Sequence, residues 1–280
     1  DKRAITVKAS DFSKTYGDAD QKLTIETPTL VGTDTEAALG IKLSRKADEN
    51  VGSYQISGTG TSDNYLVTVT NGTYTINKRQ VTVTADSLTK DYGDADPALT
   101  LTIPKGTLVN NEVVQDTDAS ALGVTLSRTD KNENVGTYTI TGSSDSQNYA
   151  VTVTPGTLTI GQRTIHVQAT DEDKTYGDAD PALDWTIEPN SDPNKPALAS
   201  WDTKDSLGVT LVRDTGDGTG ESANAYTIHL GADKASLNSN YKIIVDPGTF
   251  TIHKRAATIT LDSLTKTYGE DDPALTWQLT

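Results

Sequence analysis

Lys14-Thr15-Tyr16-Gly17-Asp18-Ala19-Asp20 decides how this chain is read, because it comes back three times. It returns as Lys90-Asp91-Tyr92-Gly93-Asp94-Ala95-Asp96-Pro97-Ala98-Leu99, as residues 174–183, and as Lys266-Thr267-Tyr268-Gly269-Glu270-Asp271-Asp272-Pro273-Ala274-Leu275. A motif recurring at this spacing marks a repeat array. Tyr16, Tyr92, Tyr176 and Tyr268 stand 76, 84 and 92 residues apart, whereas Tyr65, Tyr149 and Tyr241 of the Asn-Tyr pairs each precede the next Tyr-Gly by 27 residues. All the length variation therefore lies in the first part of each unit, where insertions fall in loops. The units run over 1–78, 79–162 and 163–254, and 255–280 begins a fourth.

Within a unit, apolar residues alternate at period two, which places them on one face of a strand. The first strand carries Ile5, Val7 and Ala9; the second follows the Tyr-Gly motif at Leu23 and Ile25, matched by Leu99, Leu101 and Ile103 and by Leu183, Trp185 and Ile187. The remaining strands carry Leu39-Ile41-Leu43, Tyr54-Ile56, Tyr65-Val67-Val69 and Tyr74-Ile76. Trp185 and Trp277 occupy the place of Ile25 and Leu101 and are expected in the core. Six short strands in about 80 residues, separated by Gly, Asp and Asn turns, predict a small antiparallel β-sandwich of the immunoglobulin-like kind, all-β and in tandem. A β-grasp-like module with a short helix is the alternative. Residues 33–38 and 116–121 could form a helical turn before the third strand, and a long helix there would favour β-grasp.

Only a few residues join one unit to the next: Asn77-Lys78-Arg79-Gln80, Gly161-Gln162-Arg163-Thr164 and His253-Lys254-Arg255-Ala256. None is a flexible Gly/Ser or Pro-rich linker, so an elongated, stiff rod is expected. The two strands of the fourth unit cannot build a core alone. They are expected to rest on the third unit, on another molecule or on further chain, and the sequence reads as an excerpt from something longer.

The 280 residues carry a net charge of −15 and 34% apolar residues, with neither Cys nor Met. This balance argues against nucleic acid or an anionic membrane as partner, since phosphate binding needs clustered Lys and Arg. Without Cys there are no disulfides and no Cys-based metal site, and the composition suits an extracellular protein. No run approaches the length of a membrane helix, so no membrane insertion is expected in this segment.

In the motif, Gly beside Tyr allows a backbone turn closed to other residues, and the Asp residues favour turns by bonding nearby amides. The functional reading of the same residues is calcium, with Asp18 and Asp20, Asp94 and Asp96, and Asp178 and Asp180 as oxygen ligands. Ca²⁺ prefers clustered oxygens, although the full calcium-loop pattern is missing. No other cofactor is expected. Asn50-Val51-Gly52 recurs as Asn134-Val135-Gly136, and Asn224 replaces the glycine in the third unit, which suggests a turn needing positive φ. Trp201, in the variable stretch of the third unit, is the candidate aromatic contact to sugar or protein. Lys14, Lys90 and Lys174 recur with Asn64, Asn148 and Asn240 as an isopeptide bond would require. His166, His229 and His253 do not recur at equivalent places, so no hydrolytic triad is expected, and no catalytic residue is assigned.

The ordered set Lys-x-Tyr-Gly-Asp-x-Asp-Pro-x-Leu, Val-Gly-x-Tyr-x-Ile, Asn-Tyr and Gly-Thr-x-Thr-Ile resembles the MBG domain of the YGX type over essentially the whole chain. The resemblance implies tandem repeats of a bacterial surface adhesin, extracellular or secreted, without enzymatic role. It transfers no binding residues. The leading expectation is a structural stalk. The others are repeats that themselves bind mucin, host glycan or protein, and an accessory array of a secreted carbohydrate-active enzyme.

Overall fold

The structure, a computed structural model, describes residues 1–112, 114–216, 220–232 and 234–280. It is all-β, and the helical elements among the described residues are 3-10 turns of three or four residues. Among the described residues no helix is long and apolar enough to cross a membrane. The chain forms two compact units. Unit 1 comprises Asp1–Lys90, Asp96–Asn132 and Gly136–Thr159; unit 2 comprises Asp91–Ala95, Glu133–Val135 and Ile160–Thr280.

The first repeat contains β1 (Arg3–Lys8), β2 (Phe12–Thr15), β3 (Lys42–Arg45), β4 (Gly52–Thr59), β5 (Tyr65–Thr70) and β6 (Gly72–Asn77). One sheet pairs β1 with β5, and the other runs β2-β6-β4-β3. The Thr, Val, Ile and Tyr side chains that fill these strands favour a pleated, half-buried surface, and β6 alternates strictly between core and outside.

The all-β tandem sandwich modules are as expected, but not all of the pairing is antiparallel. β4 pairs antiparallel with β3 and β6, but β1 runs parallel to β5, and β2 parallel to β6. Arg3 faces Tyr65 and Phe12 faces Tyr74, the same offset of 62 residues, so residues 3–15 and 65–77 form one parallel ribbon. It changes sheets at Ser10-Asp11 and Asn71. The rest of the repeat is the long crossover that a parallel pair requires. The third repeat repeats the device with an offset of 78, Arg163 facing Tyr241 and Glu172 facing Phe250. Where the ribbon changes sheets the backbones touch: a Cβ on Gly72 would lie 2.5 Å from the Ala9 carbonyl oxygen, and one on Gly156 would lie 2.3 Å from that of Ala85.

The strand expected at Leu23 and Ile25 is reduced to one bridge between Ala9 and Ile25, to Leu101–Thr102 in the second repeat, and to Trp185–Ile187 in the third. A further strand, β2, lies before the Tyr-Gly turn, matched by Leu88–Asp91 and Glu172–Thr175. Apolar alternation could not reveal β2 because its inward position is a lysine, Lys14, which is buried.

The helical turns form at Glu36–Leu39, Ala119–Leu122 and Asp205–Leu207. Each ends on a left-handed glycine, Gly40, Gly123 or Gly208, and drops a fully buried leucine into the core. One turn is too short for the helix of a β-grasp module, which leaves the sandwich.

In unit 1 one core cluster gathers Ile56, Tyr74 and Ile76 of the first repeat with Val81, Val83 and Leu122 of the second, together with Tyr16 and Tyr149, and another holds Val7, Leu39 and Tyr65. In unit 2 the core holds Tyr226, Ile228, Phe250 and Ile252. Trp185 is buried as expected, but Trp277 is 57% exposed. Among the described residues its strand, Trp277–Leu279, pairs only with Ile259–Leu261, and a two-stranded hairpin has no second sheet to cover it.

Candidate functional site

The Tyr-Gly turn is a left-handed one: Gly17, Gly93, Gly177 and Gly269 have φ between 82° and 93°. The amide of Asp18 closes the turn onto the Thr15 carbonyl at 2.9 Å. The two aspartates that follow point to different partners.

The second aspartate caps buried cations in an ion network inside its own repeat. The Lys14 side chain is 3% exposed and pairs with Asp20 at 2.6 Å and with Glu49. Arg45 holds the same two carboxylates, Asp20 at 2.7 Å and Glu49 at 2.6 Å, while its guanidinium lies 4.9 Å from the centre of the Tyr74 ring. The third repeat rebuilds this set with Lys174, Asp180, Arg213 and Glu221, with Arg213 over Phe250. In the second repeat Asp96 sits 2.6 Å from Lys90 and 3.6 Å from Arg128. Each lysine and arginine thus reaches the interior with its charge neutralised.

The Arg45 guanidinium and then Lys14, against the opposing effect of burial, hold the Asp20 carboxyl below the usual carboxylate range; Arg213 and Lys174 do the same for Asp180. A carboxyl depressed in the folded state contributes stability above its unfolded pKa, about 3.9, and loses it as pH falls through the folded value. Thermal stability is therefore expected to fall as pH drops from about 4 towards 2. Arg45→Met should flatten that fall relative to wild type, and an unchanged slope would exclude Asp20 as its source.

The first aspartate reaches the arginine at the start of the following repeat. Arg79 donates from Nε to the Tyr16 carbonyl at 2.7 Å and from Nη2 to Asp18 at 2.5 Å. In unit 2, Arg163 donates to the Tyr92 carbonyl at 2.6 Å and pairs with Asp94. Arg255 likewise donates to the Tyr176 carbonyl at 2.7 Å and pairs with Asp178.

The tyrosine side chain enters the same junction. Tyr16 meets Tyr149 edge-on at 5.4 Å between ring centres, and both hydroxyls donate to Asp116, at 3.0 and 2.7 Å. Burial, followed by the Asp116 carboxylate, pushes the Tyr16 hydroxyl up to about 12. The Tyr149 hydroxyl also accepts from the buried Val109 amide at 2.8 Å. Tyr149→Phe leaves that amide without its partner and is expected to cost about 1–3 kcal/mol in urea unfolding; a loss within 0.5 kcal/mol would show the pairing to be unimportant.

The Asn-Tyr and Asn-Val-Gly motifs complete the junction. Asn148 Oδ1 accepts from the Val51 amide at 3.0 Å, and its Nδ2 donates to Asn50 Oδ1 at 2.9 Å. Asn240 does the same to Val135 and Asn134 within unit 2, both at 2.9 Å. The expected positive φ at Asn-Val-Gly is corrected: among the described residues every positive φ belongs to glycine, and Gly52, Gly136 and Asn224 are not among them. Tyr54 lies over Gly52, its hydroxyl 3.4 Å from where a Cβ would stand, an ordinary contact distance.

Beside the first junction lies an open cleft of about 530 Å³, lined by Lys14, Gly17, Asp18, Asp20, Glu49 and Asn111. Asp18, Asp20 and Glu49 are already held there by Lys14, Arg45 and Arg79, so a calcium ion on these three would have to displace those cations; Glu112 also lines the cleft. Trp201 is 55% exposed, and its other half is engaged: Nε1 donates to the Tyr92 hydroxyl at 2.8 Å and the rings meet edge-on. The isopeptide candidates are apart in chemistry, with Lys14 and Lys174 on carboxylates and Asn148 and Asn240 on other asparagines. The three histidines lie on exposed surfaces, each paired with one carboxylate: His166 with Asp246, His229 with Asp214, His253 with Asp173.

Sequence reasoning overlooked Arg79, Arg163 and Arg255 and the acceptors Asp34, Asp116 and Asp202. Their own recurrence was the available signal. Asp34 and Asp202 receive the hydroxyls of Tyr65 and Tyr241 as Asp116 does that of Tyr149.

The profile of the MBG domain (YGX type) matches residues 5–75, 81–159 and 165–251. No curated protein matches the chain. Among solved structures, Drosophila N-cadherin EC1-4 aligns over 89% of this chain and 73% of its own at 8% identity, with a TM-score of 0.27. The human Desmocollin-1 ectodomain aligns over 90% and 61% at 9% identity, with a TM-score of 0.26. Such scores are too low to assign a shared fold.

Proposed function

Because the chain belongs to the MBG domain (YGX type) family, present as three tandem domains, we propose that it is a non-catalytic stalk segment of a bacterial cell-surface or secreted adhesin, holding a binding region away from the cell. The observation that carries this reading is the spending of the recurrent side chains on the step from one repeat to the next. Tyr16 and Asp18 are engaged by Arg79 and Tyr149, and Tyr92 and Asp94 by Arg163 and Tyr241. A residue held in such bonds is not free to bind a ligand. Small-angle scattering of the whole chain tests it. A compact body of this length would have a radius of gyration of about 19 Å. The stalk requires a value well above that, and one near 19 Å would end the proposal.

A second reading, recognition of host glycan or mucin, rests on the exposed half of the Trp201 indole. Aromatic faces are suited to such contacts. Glycan-array binding that disappears in Trp201→Ala would favour it over the stalk.

A further inference from the structure

We propose that His166, Glu188 and Asp246 form a zinc site present only in the third repeat. The three side chains stand on one face of three neighbouring strands. His166 is on the central strand Arg163–Ala169, Glu188 directly follows the antiparallel neighbour Trp185–Ile187, and Asp246 ends the parallel neighbour Tyr241–Asp246. The backbone fixes their approach: the Glu188 amide donates to the His166 carbonyl at 3.0 Å, and His166 Nδ1 lies 3.2 Å from Asp246 Oδ2. One ligand atom from each lies within 4.8 Å of the other two. A tetrahedral zinc about 2.0–2.2 Å from each ligand needs them roughly 3.3–3.6 Å apart, a closure that side-chain rotation can supply.

Register identifies the counterparts in the other repeats. They are Thr6, Pro28 and Thr70 in the first and Thr82, Pro104 and Thr154 in the second. The same Thr, Pro and Thr are replaced together by His, Glu and Asp. Asp18, Asp20, Asp94 and Asp180 are each balanced by lysine or arginine; among the described residues neither Glu188 nor Asp246 pairs with either cation. An imidazole with two carboxylates suits zinc, whereas calcium takes oxygen ligands. Beside them a cavity of about 300 Å³, reached also by Thr164, Asn190 and Ser191, leaves room for bound water.

The metal would pin the start of the third repeat's insertion. Its later part is already held within unit 2 by Lys195 on Asp94 at 2.7 Å and Trp201 on Tyr92. Calorimetric titration of the tag-free chain with zinc chloride tests the site. One zinc per chain is expected, weakened by about tenfold or more in His166→Thr and in Asp246→Thr, which install residues the other repeats carry at these places. His229→Ala and His253→Ala should bind as wild type, and excess calcium should not compete. No stoichiometric zinc binding, binding unchanged in His166→Thr, loss in His229→Ala or His253→Ala, or displacement by calcium would each overturn the assignment.

Discussion

Arg163→Ala is expected to destabilise unit 2 by about 3 kcal/mol, read as a lower urea midpoint in unfolding of the whole chain. The side chain is 4% exposed and its guanidinium satisfies the Tyr92 carbonyl at 2.6 Å, the Pro196 carbonyl at 2.9 Å and the Asp94 carboxylate. Breaking a buried pair costs about 3–5 kcal/mol when the remaining charge is stranded. Asp94 keeps Lys195, so the lower end applies. The molecule contains its own control. Arg255 makes the equivalent bonds to the Tyr176 carbonyl and Asp178, yet its side chain is 54% exposed. Water replaces what an exposed arginine loses, and Arg255→Ala should cost less than about 1 kcal/mol. Equal losses at the two positions would mean that burial of the junction arginine does not govern its contribution.

Gly40→Ala should cost about 3 kcal/mol, from roughly 1–2 kcal/mol for a side chain in the left-handed region and a comparable amount for the collision that follows. Gly40 has φ 55°, and an added Cβ would stand 2.1 Å from the Thr61 carbonyl oxygen, a backbone atom that cannot rotate away. Gly32 shares the conformation, with φ 59°, but nothing lies within 4 Å of its Cβ position. Gly32→Ala should therefore cost only about 1–2 kcal/mol. Thermal or urea unfolding of the two variants separates backbone conformation from contact; the contact argument fails if they are equally destabilised.

These positions show how much could be read in advance. The Tyr-Gly turn was legible because positive φ at Gly17 is a property of two adjacent peptide units. The sandwich strands were legible wherever apolar side chains alternate, as in β6. Strand β2 was not, because its inward residue is Lys14, whose burial depends on Asp20 and Glu49 rather than on hydrophobicity. The parallel ribbon was likewise hidden, since its pairing joins residues 62 apart. Of the site, the recurrence of the aspartates was evident, but that Asp18 serves Arg79 while Asp20 serves Lys14 and Arg45 was not.

From sequence alone follow the repeat, its landmarks, the all-β character and the turn at Gly17, all of which depend on residue type and spacing within a few positions. Tertiary structure decided what the motif is for. Once the fold brings Arg79 to Asp18, 61 residues away, and Tyr149 to Tyr16, the recurrent turn becomes one half of a junction between successive repeats. The physical reason is that φ preference and alternation are local, whereas the partner of a charge is set by strand register, which no short stretch of sequence contains.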